Sequence, residues 1–256
     1  MRRERNFLRA IVTTLGVCGA ALLILPSAPA FGAWAGAQPP LPPVRPPSPS
    51  SEAEPGRGKP PAPSPAPQPT AAQACLAELK ANQVEAQIVP APPAPVADCG
   101  VAEPVRLDSI GLSDTARIDL SGRPVLDCAF ALVFTGFVRD LMSPLAAAML
   151  GSRLSAVGIV SGYRCGSPIR LPSGSPNPHG KGIAVDVAEI TLADRRRVAV
   201  GHEANSAEIL FMKTMRRAAC GWFTTVLGPG SDAAHAEHFH FDILRHGASA
   251  DYRICE

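Results

Sequence analysis

The chain has 256 residues, of which 46% are hydrophobic, 18% charged and 5% aromatic, with 28 prolines and a formal charge of +2. Arg2, Arg3, Arg5 and Arg9 against Glu4 place +3 on residues 1–30, and taking this from the total leaves −1 on residues 31–256. A faintly acidic body lacks the basic face that nucleic-acid binding needs and the polybasic attraction to anionic lipid, and the glycines show no collagen repeat.

Residues 1–30 read as a signal peptide. A basic stretch to Arg9 is followed by Ala10–Leu25, which carries no charge, and then by the small residues Ser27-Ala28-Pro29-Ala30. The apolar run is 16 residues, shorter than the roughly 20 that span a bilayer. Export to the periplasm or cell envelope is therefore expected, with membrane association only if this segment stays uncleaved. Residues 31–70 read as a proline-rich disordered linker, since 14 of the 31 residues from Pro39 to Pro69 are proline. Proline removes the backbone donor and fixes φ, which favours an extended, semi-stiff spacer. Beyond Cys18, which lies inside the signal, six cysteines remain: Cys75, Cys99, Cys128, Cys165, Cys220 and Cys255. An even number in an exported chain predicts up to three disulfides, with fifteen pairings open.

The folded domain is expected over residues 71–256. Ala71 to Ala86 reads as a helix, and Val105–Leu107 and Ala116–Leu120 as short strands. Cys128 to Leu150 has the apolar spacing of a buried helix, with Pro144 bending or interrupting it. Strands are expected at Leu154–Tyr163, Ile183–Ile190, Trp222–Leu227 and His238–Leu244. Asn205-Ser-Ala-Glu208 opens a helix through Cys220 in the manner of a capping box. Helices and strands mix without regular βαβ alternation, so the fold class is α+β.

Two segments carry the chemistry. In His179-Gly-Lys-Gly-Ile-Ala-Val-Asp186, strand alternation turns Asp186 to the face opposite Val185 and Val187, and Gly180 and Gly182 let the loop backbone approach the site. In His235-Ala-Glu-His-Phe-His-Phe-Asp242, His238, His240 and Asp242 share one face while Phe239, Phe241 and Ile243 take the core face. Four of the six histidines lie in these segments with two acids at ligand-compatible positions; His202 and His246 sit in loop-like sequence and read as solvated. Imidazole and carboxylate donors suit Zn²⁺.

The H-x6-D and H-x-H pair, with Ser161-Gly162-Tyr163-Arg164 ahead of it, resembles the LAS group of zinc peptidases, which includes D-alanyl-D-alanine carboxypeptidases, a murein endopeptidase and the hedgehog N-domain fold. From about Ala71 to Cys255 the chain is similar to the bacterial extensin-like C-terminal domain. The shared elements are the six cysteines, Cys99-Gly-Val, Tyr163-Arg-Cys165, Ala218-Ala-Cys220, Val226-Leu-Gly-Pro229 and His235-Ala-Glu-His-Phe-His-Phe-Asp242. It departs from that family's pattern at Pro178 and Ile183, where Glu and Asn are common. The resemblance implies a small antiparallel sheet packed with helices and a Zn²⁺ held by His179, Asp186 and His240. It further implies a general base that is Glu237 or else His238 or His235, and an oxyanion contact from Arg164. Asp242 and His235 would orient ligands from outside the metal, and Tyr163 and Trp222 would be core. The implied substrate is a peptide of peptidoglycan, cleaved in the endopeptidase or carboxypeptidase manner by a monomer; the alternative is a zinc-containing module that binds wall material without cleaving it.

Overall fold

The computed structural model describes residues 69–113, 115–166, 174, 176–247 and 252–256. Residues 1–30, expected to be a signal peptide, all but the last two residues of the expected linker 31–70, and most of the loop ahead of His179 lie outside the described residues.

Thr70 opens α1 (Ala71–Ala81) with a capping box, its hydroxyl accepting from the Gln73 amide while the Gln73 side chain accepts from the Thr70 amide. The helix stops earlier than the composition of 71–86 suggests. Gln83 takes a positive φ of 61°, and the chain reverses into β1 (Val84–Ile88), where Val84 and Ala86 alternate inward. β2 (Pro104–Ser113), β3 (Ala116–Ser121) and the short β4 (Val125–Asp127) follow. Asp127 then caps α2 (Cys128–Phe137) by accepting from the Ala129 amide at 3.1 Å. Pro144 lacks the amide that an unbroken helix needs here. The expected interruption takes the form of a π turn at Val138–Met142, after which α3 (Ser143–Leu150) resumes and ends on Gly151 in the left-handed region.

β5 (Leu154–Ser161), β6 (Ala184–Leu192) and β7 (Arg197–Ala199) lead to α4 (Ser206–Ala219). Asn205 caps α4 as its spacing predicts: its side chain accepts from the Glu208 amide at 3.0 Å, and the Glu208 carboxylate accepts from the Ala204 amide at 2.8 Å. β8 (Thr225–Leu227), β9 (Phe239–Asp242) and β10 (Ile254–Cys255) complete the chain.

The described strands form one ten-stranded sheet in the order β1-β2-β3-β5-β6-β9-β8-β10, with β4 on β2 and β7 on β6. It is mostly antiparallel, but larger than the small antiparallel sheet expected, and it holds two parallel pairs, β3 with β5 and β8 with β10. The first parallel pair is reached through α2 and α3, since parallel neighbours need a long crossover. The core lies between the helices and one face of the sheet. Phe137 of α2 stands 5.4 Å from Phe241 of β9, and Phe223 stands 4.9 Å from Phe241 and 5.0 Å from Phe137. Trp222 packs edge-on against Phe137 at 6.0 Å, a core contact as expected.

All six cysteines pair: Cys75 with Cys128, Cys99 with Cys165, and Cys220 with Cys255. The first ties α1 to the start of α2. The second ties the segment after β5 to the loop before β2, and the third ties the end of α4 to β10.

Candidate metal centre

β6 and β9 run antiparallel with Asp186 directly opposite His240. Alternation sends Val185, Val187, Phe239 and Phe241 into the core and turns Asp186, His240 and Asp242 to the face away from the helices. His179 comes from outside the sheet, on a short 3-10 turn at Pro178–Lys181. Proline suits the first position of such a turn because its missing amide has no partner to lose there, so Pro178 is compatible with the turn that carries His179. The Asn177 side chain accepts from the His179 amide at 3.0 Å. The close approach made by the glycines is to structure behind the site. A side chain at Gly180 would meet the Cys99 sulfur at 3.1 Å, and one at Gly182, whose φ is +69°, would meet the Asp127 amide at 2.9 Å.

Three donor atoms converge. His179 Nε2 lies 3.2 Å from His240 Nδ1 and 3.3 Å from Asp186 Oδ1, and His240 Nδ1 lies 3.0 Å from Asp186 Oδ1. All three residues are buried. The remaining ring nitrogens are already engaged. His179 Nδ1 is 2.8 Å from the Gly162 carbonyl, to which it can only donate. His240 Nε2 is 2.9 Å from Asp242 Oδ2. Asp242 is buried in turn, accepting from the Leu244 amide at 2.9 Å and the Thr224 hydroxyl at 3.3 Å. With those tautomers, three lone pairs face one point, an arrangement that repels itself unless a proton or cation sits among them. Ligands about 2.0–2.1 Å from a tetrahedral ion lie about 3.3 Å from one another, so the spacing as well as the N, N, O chemistry fits Zn²⁺. Asp242 stands outside this set, behind the second ring nitrogen of His240.

The electrostatics follow from the packing. Burial pushes the Asp186 carboxyl up, but hydrogen bonds from His179 and His240 outweigh it and hold the group well below the usual carboxylate range. Burial pulls His240 down, but Asp186 and Asp242 on its two nitrogens raise it to about 9. For His238 burial prevails over the nearby Asp186 charge and lowers the pKa.

The site residues named from the sequence divide into two groups. His238 lines the cleft above the triad, its Nε2 3.8 Å from Asp186 Oδ1. His235 lines it too, with its ring 5.2 Å from that of His238 and 5.8 Å from that of His240. Arg164 is exposed on the cleft wall and makes no ion pair among the described residues; its amide donates to the His179 carbonyl at 3.1 Å. Glu237 does not join them. Its side chain is 76% exposed, and it sits 3.3 Å from His202 Nε2 on the surface. The tight bend before β9 leaves the adjacent Ala236 and Glu237 exposed between His235 and His238, which strand parity alone did not reveal. Tyr163 is half-buried and donates its hydroxyl to the Pro93 carbonyl.

Two further residues, Asp232 and Thr225, have no role in the sequence reading, and His246, expected to be solvated, instead lines the cleft. Asp232 caps the 3-10 turn at Ala233–His235 and accepts from His235 Nδ1 at 2.7 Å, which leaves His235 Nε2 as the lone-pair nitrogen. An Asp three residues before a His is the only local signal of that pairing. His246 is half-buried and lines the cleft, its Nε2 2.8 Å from the hydroxyl of buried Thr225. Nothing local marks either residue, because the turn after β9 brings them together. The cleft as a whole has a volume of about 600 Å³.

The class defined here is a disulfide-linked mixed α/β domain with a buried His–Asp–His donor group on the open face of its sheet. Residues 73–256 match the family described as Extensin-like protein C-terminus, and the chain belongs to that family. No curated protein and no solved structure matches it.

Proposed function

We propose that this chain is an exported zinc-dependent peptidase of the LAS kind, acting on the peptides of peptidoglycan. The observation that carries the proposal is the meeting of His179 Nε2, Asp186 Oδ1 and His240 Nδ1 within 3.3 Å, with Gly162 and Asp242 behind the two imidazoles. Bound there, Zn²⁺ supplies a Lewis acid and a water whose pKa falls to about 7. Gly162 and Asp242 fix the two imidazole tautomers. His238, beside the triad and facing the cleft, takes the proton from the attacking water and passes it to the leaving amine. Arg164, with no competing carboxylate among the described residues, offsets the negative charge that develops on the substrate oxygen. Asp232 holds His235 at the cleft wall, where its free nitrogen contacts the substrate. Glu237 has no part in this scheme.

The second reading, a zinc-containing wall-binding module without hydrolysis, draws support from the outward placement of Glu237, the base position of the carboxypeptidase-type relatives. Incubating the zinc-loaded chain with defined muropeptides, with and without chelator, separates the two. Chelator-sensitive cleavage that His240→Ala abolishes supports the peptidase. Stoichiometric zinc and muropeptide binding without product supports the module. A chain that takes up no zinc defeats both.

A further inference from the structure

Asp186 and His240 belong to a longer row. Register places Ser161 of β5 opposite Asp186, Asp186 opposite His240, and His240 opposite Leu227 of β8. Residues from β5 through to β10 line the cleft, so it crosses the strands. Neighbouring strands lie about 4.8 Å apart, and the three steps from β5 to β8 therefore span about 14 Å. An extended peptide advances about 3.3 Å per residue, so that distance holds about four residues. The donor atoms of the sheet sit on its two middle strands, β6 and β9. A peptide laid across the row has its reacting bond over the centre and about two residues to each side.

Each end of the row carries a polar anchor. At the β5 end is Arg164, whose fork suits a carbonyl or carboxylate. At the β8 end is His246, with Nε2 tied to Thr225 and its ring edge-on to Tyr252 at 6.2 Å. Among the described residues, His246 Nδ1 has no hydrogen-bond partner. Between them the cleft is lined by polar side chains, His235 and His238 among them, with apolar surface from Val160, which is 65% exposed, Leu227 and Ile254. Polar groups held in fixed positions along a cleft decide which ligand lies in it and in which orientation. A ring nitrogen with no partner among the described residues, able to donate or accept, suits a peptide N–H or C=O.

We infer that the cleft takes an internal stretch of peptide, with about two residues on each side of the bond to be cut, and that His246, held by Thr225, is a specificity-determining residue for the part crossing β8. This rests on the hydrolase reading and narrows it to cutting within a peptide or crosslink, as opposed to trimming a terminal residue. The test measures binding by calorimetry to the zinc-loaded full chain in a His238→Ala background, which keeps the three donors. One ligand is a crosslinked muropeptide dimer that continues on both sides of the scissile bond; the other is a monomeric pentapeptide that ends one residue past it. The dimer is expected to bind about tenfold tighter, the worth of one good hydrogen bond. Adding His246→Ala brings that ratio to near parity with zinc content unchanged, and Thr225→Val, which frees the ring, brings it partway. A ratio that survives His246→Ala, or a monomer bound as tightly as the dimer, overturns the inference while the hydrolase reading stands. Failure of the zinc-loaded chain to bind either peptide brings down both.

Discussion

Asp242→Asn tests the proposed metal centre without touching a donor. The Leu244 amide at 2.9 Å and the Thr224 hydroxyl at 3.3 Å both donate to Asp242 Oδ1, so an asparagine keeps its carbonyl there. Its amide nitrogen then replaces Oδ2, 2.9 Å from His240 Nε2. Two N–H groups cannot face each other, so the His240 proton moves to Nδ1. That is the atom 3.2 Å from His179 Nε2 and 3.0 Å from Asp186 Oδ1, the one that must offer a lone pair to the ion. Losing an orienting partner of this kind lowers metal affinity about 10- to 100-fold. The volume is unchanged and no cavity opens, so a drop in thermal midpoint in the presence of chelator reads the weaker hold on protonated His240, which Asp242 helps raise to about 9. Competition against a chromophoric zinc chelator measures the affinity, and a melt in chelator checks the fold. Equal affinity for the wild type and Asp242→Asn would refute the assignment of His240 Nδ1 as the donor.

His238→Ala should retain zinc and lose about a hundredfold to ten-thousandfold in muropeptide hydrolysis, whereas Glu237→Ala should change neither; the reverse ranking of rates returns the base role to Glu237. Replacing Cys99 and Cys165 by Ser removes a crosslink that closes a 66-residue separation, an expected loss of about 4 kcal/mol in the chain-entropy account, read by denaturant unfolding. Because Cys165 adjoins Arg164, whose amide holds the His179 carbonyl, zinc affinity should fall as well. The Cys220–Cys255 pair lies at the far edge of the sheet, and its loss should spare affinity. Zinc uptake should also be pH-dependent. His240 is raised to about 9, so at neutral pH the ion displaces a proton from it, and apparent affinity climbs about tenfold per pH unit from pH 6 to 8 before levelling above 9. Asp186, held far below that window, stays ionised and adds no slope. A flat affinity from pH 6 to 8 would show that zinc does not compete for that nitrogen.

The parts legible in sequence are those with a local cause. The cap at Asn205, the break at Pro144 and the two-faced alternation of Phe239 to Asp242 each follow from side chains a few positions apart, and each is present. The strand at 84–88 was hidden because Ala71–Ala86 is rich in helix formers, and only the backbone reversal at Gln83 separates helix from strand. β4, β7 and β10 have two or three residues each, too few to show a period. Disulfide pairing depends on distances between remote segments, which no spacing reveals. Glu237 shows the opposite case: its offset of three from His240 suggested a role by resemblance, while the bend at Ala233–Ala236 leaves the side chain exposed.

The place of β9 in the sheet accounts for the quality of the donor group. Flanked by β6 on one side and β8 on the other, β9 has no free edge, so its backbone is held along both sides and its side chains have fixed directions. Phe239 and Phe241 anchor one face in the aromatic core, which leaves His240 and Asp242 no freedom to turn inward. The same two-residue period that buries the phenylalanines therefore places His240 opposite Asp186, and Asp242 behind the second ring nitrogen. Only His179 must be delivered from outside the sheet. Its delivery uses the Gly162 carbonyl at the end of β5, a turn opened by Pro178, and a disulfide from Cys99 to Cys165 on the strand side of that turn. Two donors thus depend on the core, and the third depends on a crosslinked loop. Perturbing the core should weaken the ion site and the fold together, whereas loosening the crosslink should lower ion affinity by more than its share of stability.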